Sequence, residues 1–320
     1  MIYYVICSGH EHTIRSLQKD PHAPSIGFLT YDQIIHSKKA KWATYIFTDF
    51  DRLSYFDLEL AARVYRQLRD AGVKVLNDPS KVMMRYSLLR SLHRLGLNDF
   101  NVYQGNEVPE EMRFPVYIRK TRGHSNHCTD LLQTRSEVVR ALDHLTASGI
   151  PADHLLITEY AGEPIRPNLY RKCSAFLLDS VVYPQPSVHE NNWVVKTGPN
   201  CIAEEELYKE DSDMVRENPY ADKLRKVFAI ANIEYGRADF GFYRGRLQVF
   251  EINTNPHILA PKPHPSPVRM ATAEFAWQQF LQALHAVDSK PGGDIRFAKD
   301  PVLKQFRKHL PVLYRSRPVP

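Results

Sequence analysis

Residues 235 to 257, YGRADFGFYRGRLQVFEINTNPH, constrain what this chain can fold into more tightly than any other stretch. Two runs of strand-forming residues, Tyr235 to Tyr243 and Leu247 to Asn253, flank Arg244-Gly245, and a glycine-containing turn between such runs predicts a β-hairpin. Side chains two apart on a strand share a face, so Glu251 and Asn253 project together, and pairing brings Asp239 across from them. The expected face carries hard oxygen donors alone. Such a set suits Mg²⁺, which takes a few carboxylates and leaves its other positions to water and phosphate oxygens. An ordinary hairpin with solvated charges is the competing reading.

Gly236-Arg237-Ala238-Asp239 followed by Glu251-Ile252-Asn253-Thr254-Asn255-Pro256 resembles the G-R-x-D … E-x-N-x-x-P run of the ATP-grasp superfamily. The pattern is similar to that of D-alanine–D-alanine ligases and of ribosomal-protein glutamate ligases. The resemblance implies that Asp239, Glu251 and Asn253 hold Mg²⁺, or Mn²⁺ in its place, and that Arg237 is catalytic, lying against the phosphate in transfer. Metal ions and an arginine suit that task, because phosphoryl transfer is mostly positioning and charge neutralisation.

The remaining bulk features exclude other classes. A chain of 320 residues, 43% hydrophobic and 24% charged, is long enough for two or three packed units. No apolar run approaches the ~20 residues of a membrane span, and the start, MIYYVICSGH, lacks the basic region of a secretory signal. Cys7, Cys128, Cys173 and Cys201 are scattered without paired spacing, so a reduced, cytoplasmic setting is expected. The net charge of +6 gathers at the end: residues 291–320 hold seven Lys or Arg against Asp294 and Asp300. That leaves the body nearly neutral, with no basic stripe for nucleic acid. The basic tail is expected to be a solvated appendage.

Strand and helix signals alternate along the first hundred residues. Ile2–Cys7, Ser25–Thr30, Thr44–Thr48 and Val73–Leu76 read as strands. Tyr55–Ala71 reads as a helix with Leu60, Val64 and Leu68 on one face, and a second helix is expected from Asp78-Pro79-Ser80 through Leu95. Alternation with short links predicts an open α/β sheet. Further on, Phe114–Lys120, Leu155–Tyr160, Cys173–Leu178, Val181–Tyr183 and Asn192–Val195 read as strands. Ser136–Leu145, Asp213–Ala231 and Met270–Ala286 read as helices, with a proline-laden loop at 257–267. The resemblance implies α/β plus α+β architecture, an ATP-grasp fold. It divides into an N-terminal open α/β unit at 1–100, a small unit at 101–165, and a large unit at 166–289 carrying the nucleotide and metal, with the basic tail at 290–320.

Further segments take roles from the same resemblance. Pro115-Val116-Tyr117-Ile118-Arg119-Lys120 places a basic residue where relatives have a phosphate-binding lysine. Alternation lets only one of Arg119 and Lys120 face the nucleotide, and Arg119 is favoured. The 122–128 loop has a single glycine where relatives are glycine-rich, but its side chains supply donors for phosphate: Ser125 and Asn126, with His124 or His127 adding a proton-dependent contact near neutral pH. It is expected to close over bound ATP. A metal site from His124, His127 and Cys128 is the alternative there. The segment around Glu159, Tyr160 and Ala161 resembles the hinge that reads adenine, with Glu163 on the ribose and Lys196 as a second phosphate-binding lysine. Among Arg166, Arg171 and Lys172, Arg171 is favoured for a substrate carboxylate, and His257 borders the acceptor site or caps its turn.

The resemblance covers the chain from Met1 to about Ser289. It implies an ATP-dependent carboxylate–amine ligase working through an acyl-phosphate, with small-molecule carboxylate and amine substrates (amino acid or peptide) and no nucleic-acid or membrane partner. A homodimer is compatible with it. A small-molecule kinase on the same fold and a non-catalytic nucleotide-binding protein are the alternatives.

Overall fold

The apolar run Ile2–Ile6 forms β1, which pairs in parallel with β2 (Ile26–Thr30). Past a short β3 (Lys39–Lys41), β4 (Thr44–Phe47) pairs with the other edge of β1, and β5 (Val75–Leu76) completes a parallel sheet in the order β2-β1-β4-β5. The structure, a computed structural model, describes residues 1–123, 127–196, 198, 202–290 and 292–309, without the side chains of 308 and 309. Helices α1 (Arg15–Lys19) and α2 (Tyr31–His36) follow β1 and β2, and α3 (Tyr55–Asp70) crosses from β4 to β5. Ser54 and Asp57 cap α3 reciprocally, and Gly72, at φ 88°, follows its end.

The helix expected from Asp78 begins later. Asp78 Oδ1 accepts from both the N–H and the hydroxyl of Ser80, at 3.0 and 2.7 Å, which folds 78–80 into a turn. Helix α4 is Arg85–Arg94, and Gly96 (φ 65°) follows it.

The middle unit is an antiparallel sheet of β6 (Val102–Gln104), β7 (Val116–Lys120) and β8 (Leu155–Glu159), in the order β6-β8-β7. Helix α5 (Arg135–Ala147) covers it over a core of Val116, Ile118, Val138, Leu142 and Ile157.

The third unit is built on β9 (Tyr170–Leu178), β10 (Val181–Glu190), β11 (Tyr235–Tyr243) and β12 (Arg246–Asn253), antiparallel throughout in the order β10-β9-β11-β12. Arg244 (φ 51°) and Gly245 (φ 71°) form the two-residue turn between β11 and β12, with both φ positive as a type I′ hairpin turn requires. The expected strand at 192–195 is absent. Val194 N–H donates to Asn192 Oδ1 at 3.0 Å and Lys196 N–H to Glu190 Oε1 at 2.8 Å, so side chains take up this backbone in bends. The single helix expected at 213–231 is two, α6 (Glu205–Glu217) and α7 (Ala221–Ala231). Asn218 is left-handed (φ 49°) and precedes Pro219, which disfavours helical backbone before it.

Helix α8 (Pro267–Val287) packs with Phe176 and Tyr235 of the third unit against Tyr4, Ile46 and Leu76 of the first, in one shared core. Asn77, fully buried and at φ 66°, joins the two units further. Its Nδ2 donates to the carbonyls of Phe47 and Tyr235 at 2.9 and 2.8 Å, and its Oδ1 accepts from the N–H groups of Glu234 and Tyr235.

The tail is not the solvated appendage expected of its composition. Strand β13 (Asp294–Arg296) pairs with β3, and α9 (Pro301–His309) buries Leu303 and Phe306 in the core of the first unit. Its charges are used in docking: Arg307 donates to the carbonyls of Ile35 and Ser37, and Asp300 receives Arg63 at 3.2 Å. No helix among the described residues is long and apolar enough to cross a membrane.

Candidate active site

Register in the β11–β12 hairpin sets Asp239 opposite Glu251 and Arg237 opposite Asn253, with an irregularity immediately after Asp239. All four side chains therefore share one face. That face is not made of oxygen donors alone, as the sequence suggested. Arg237 Nε donates to Asp239 Oδ1 at 3.0 Å, and Lys172 on β9 approaches Asp239 Oδ2 at 3.4 Å. Glu251 Oε2 accepts from Arg85 of α4 at 2.8 Å and Arg119 of β7 at 2.9 Å, while Asn253 Nδ2 lies 3.5 Å from Glu251 Oε1. Asp239 and Asn253 are buried, at 3% and 6% exposure. Four cations thus converge on two carboxylates.

The two arginines on Glu251 respond in opposite directions. Burial and the like charge of Arg119 push the Arg85 pKa down. Burial acts the same way on Arg119, but Glu251 and Tyr117 together outweigh it, so the Arg119 pKa is raised. Arg85 also donates to the carbonyls of Lys120, Thr121 and Gly123, tying the start of the 122–128 loop to the same carboxylate.

Two cavities border the Arg237–Asp239 pair. The first lies between the middle and third sheets and is lined by Arg119, Glu159 to Glu163, Lys172, Lys196, Asp239 and Glu251. Arg171 borders it too, but its guanidinium pairs with Glu210 of α6 at 3.2 Å, so the neighbouring Lys172 is the one that reaches the carboxylates. The Glu159 carboxylate is buried and held by the N–H of Asn101, the hydroxyl of Tyr103 and the N–H of Arg113. The N–H groups of Glu159 and Tyr160 donate to the carbonyls of Asn101 and Pro115. Glu163 accepts the N–H of Arg244 in the hairpin turn at 3.1 Å.

An aromatic wall completes this cavity. Trp193 stacks on His127 at 5.0 Å and stands within 5.5 Å of the rings of both Tyr117 and Tyr160. Burial, with the charges of Arg119 and Lys196, pushes the His127 pKa down to about 4, so this ring stays neutral where a proton-dependent contact was expected. Ser125 and Asn126, expected on the phosphates, lie outside the described residues, as does His124.

The second cavity lies under the 257–267 loop, against Trp277 and Phe280 of α8, and includes Arg237, His257 and Lys262. Arg237 lines this cavity and its partner Asp239 the first, so the pair stands in the wall between them.

Among the described residues no three His, Cys, Asp or Glu side chains come together as a metal site. Asp239, Glu251 and the Asn253 amide still fit the hard-oxygen requirement of Mg²⁺. The surrounding cations disfavour a bare ion and favour one that arrives with phosphate charge. Three contributors carried no signal in the sequence strong enough to single them out. Arg85 belongs to no motif, Lys172 competed with Arg171, and Trp193 read as part of a strand.

No family model matches the chain, and no curated protein sequence matches it. Its structure is similar to that of a D-alanine–D-alanine ligase from Bacillus anthracis, at a TM-score of 0.50 and 12% identity over 89% of this chain and 97% of that one. The same enzyme complexed with ATP gives 0.49 and 13% over 90% and 97%. An ATP-grasp RimK domain protein from Sphaerobacter thermophilus gives 0.48 and 9% over 89% and 97%. The chain has the ATP-grasp fold.

Proposed function

We propose that the protein is an ATP-dependent ligase that joins a carboxylate to an amine through an acyl-phosphate. One observation carries this reading: the Asp239–Glu251 pair, ringed by Arg85, Arg119, Lys172 and Arg237, stands where two cavities meet. Polyphosphate in the first cavity and a carboxylate in the second would meet at Arg237.

In this reading adenine lies against the backbone around Ala161 and the aromatic wall, with Glu163 at the ribose. Arg119, Lys172 and Lys196 receive the phosphates. Asp239, Glu251 and Asn253 would hold Mg²⁺, which when bound neutralises charge on the phosphate oxygens. The substrate carboxylate attacks the γ-phosphorus, the bond to the β-phosphate oxygen breaks, and ADP leaves. The amine then attacks the acyl carbon and displaces phosphate. Arg237 and the neighbouring cations stabilise charge that grows on the moving phosphoryl group, which requires no nucleophile from the protein.

Incubation with ATP, Mg²⁺ and a pool of the twenty amino acids tests this directly. ADP, free phosphate and an amide product are expected in equal amounts. A phosphorylated product without free phosphate identifies a kinase instead. Nucleotide binding without turnover on any carboxylate and amine offered overturns the ligase reading.

A further inference from the structure

His10 and Asp49 lie just beyond the carboxyl ends of β1 and β4, neighbouring parallel strands whose connections lead away to opposite sides, toward β2 and β5. Ligands of open α/β sheets bind in the crevice at such a switch point. Asp49 is 1% exposed, and its Oδ2 accepts the N–H of Cys7 at 2.8 Å and meets His10 Nδ1 at 3.0 Å. An ionised carboxylate only accepts, so His10 Nδ1 carries the proton and Nε2 is the basic atom. Arg52 stands behind Asp49 at 3.5 Å, and His12 lies edge-on to His10 at 6.0 Å.

This end of the parallel sheet is fixed against the segment that follows the β11–β12 hairpin. Thr13 Oγ1 is 2.8 Å from the His10 carbonyl oxygen and 3.0 Å from Asn255 Oδ1, and Ile258 N–H donates to the Thr13 carbonyl at 2.9 Å. His12 also stands edge-on to His257 at 5.6 Å, and His257 shares the second cavity with Arg237. Asn255 supplies an independent sign of a ligand. It is 7% exposed, and its Nδ2 meets no acceptor among the described residues. A buried donor without an acceptor is costly, and a bound molecule with a carbonyl or carboxylate oxygen would relieve it.

We propose that this crevice receives the amine substrate, an α-amino acid or a peptide amino terminus, and that His10 is its general base. The assignment rests on the ligase reading. Asn255 Nδ2 donates to the carbonyl or carboxylate oxygen of the amine substrate. The ammonium group gives one proton to His10 Nε2, and the freed lone pair attacks the acyl-phosphate carbon. The carbon–oxygen bond to phosphate breaks, and the second surplus proton on nitrogen leaves with the phosphate. Asp49 is a positioning residue that fixes the His10 tautomer.

Hydroxylamine separates the two roles, because it is neutral at pH 7 and attacks an acyl-phosphate without a base. The wild type, His10→Gln and Asp49→Asn are each given MgATP and the twenty amino acids, with and without hydroxylamine. Amide synthesis is expected to fall about a hundredfold in His10→Gln and less in Asp49→Asn. Hydroxamate formation is expected to stay within about twofold of wild type in both, a split that general damage to the fold would not give. The base assignment is overturned if amide synthesis is unchanged, or if hydroxamate falls in step with amide while both variants still bind ATP. Absence of hydroxamate from the wild type sinks the ligase reading, and the base with it.

Discussion

The Arg85 guanidinium meets the Glu251 carboxylate at 2.8 Å, joining the first residue of α4 to β12 across 166 positions of chain. The same guanidinium holds three carbonyls at 120–123, so one half-buried cation ties the candidate metal carboxylate to the loop expected over the phosphates. Removing it takes one cation from Glu251 and one donor from each of those carbonyls. Arg85→Met is expected to cost about 2–4 kcal/mol of stability, measured by chemical denaturation. A loss under about 0.5 kcal/mol, within the range of neutral surface changes, would mean that the contact holds nothing together.

Glu251→Gln removes the shared counter-charge of two half-buried arginines, so the variant is expected to lose stability as well as activity. ATP-dependent turnover is expected to fall by at least about a hundredfold, with a midpoint in urea lower than wild type. Retention of wild-type turnover would remove Glu251 from the site.

On the proposed reading, four cations around two carboxylates make the site a poor host for Mg²⁺ alone and a good one for Mg²⁺ with a polyphosphate. Mg²⁺ affinity is expected to rise by at least about tenfold when ATP is present, and ATP affinity to rise by the same factor with Mg²⁺, since coupling is reciprocal. Titration calorimetry in both orders checks it. Equal Mg²⁺ affinity with and without nucleotide would show that the carboxylates bind metal unaided.

Leu303 and Phe306 sit in the core of the first unit, so the basic tail contributes stability. Phe306→Ala is expected to cost about 3 kcal/mol while leaving ATP affinity unchanged. Thermal unfolding at wild-type temperature would return the tail to the solvated role that its composition suggested.

His189 is 4% exposed, and burial with the charges of Arg171 and Arg269 pushes its pKa down to about 4. His127 is shifted the same way. Between pH 4 and the ordinary histidine range near 6.5 the unfolded chain therefore holds more protons than the folded one. Stability rises with pH through this window and is lost on acidification, by up to about 3 kcal/mol per fully buried histidine. His189→Phe should flatten that slope in urea titrations run from pH 4 to 7. An unchanged slope would assign it to other groups.

The hairpin was legible because its information is local: alternation, a turn and residue spacing act within twenty residues. The helices also declared themselves by period, but their ends followed local backbone chemistry: Asp78 takes the N–H of Ser80 into a turn, and Asn218 turns left-handed before Pro219. The choice between Arg171 and Lys172 could not be made from sequence. It depends on β9 pairing Ser174 with Asp239, a register set across the sheet, which turns Lys172 toward the carboxylates. Arg85 was invisible for a similar reason, since nothing near it in sequence marks a partner 166 residues away. The tail misled because docked and solvated charges look alike until Arg307 and Asp300 find partners.

Asn77 joins Phe47 at the end of β4 to Tyr235 at the start of the hairpin, within a core to which both units contribute. The first hundred residues are therefore not a detachable module. Excised, they would expose Tyr4, Ile46 and Leu76 along one whole face of the parallel sheet and strand the polar groups of Asn77 in the cut. Anyone dividing this protein into pieces for expression would do better to keep its two ends together.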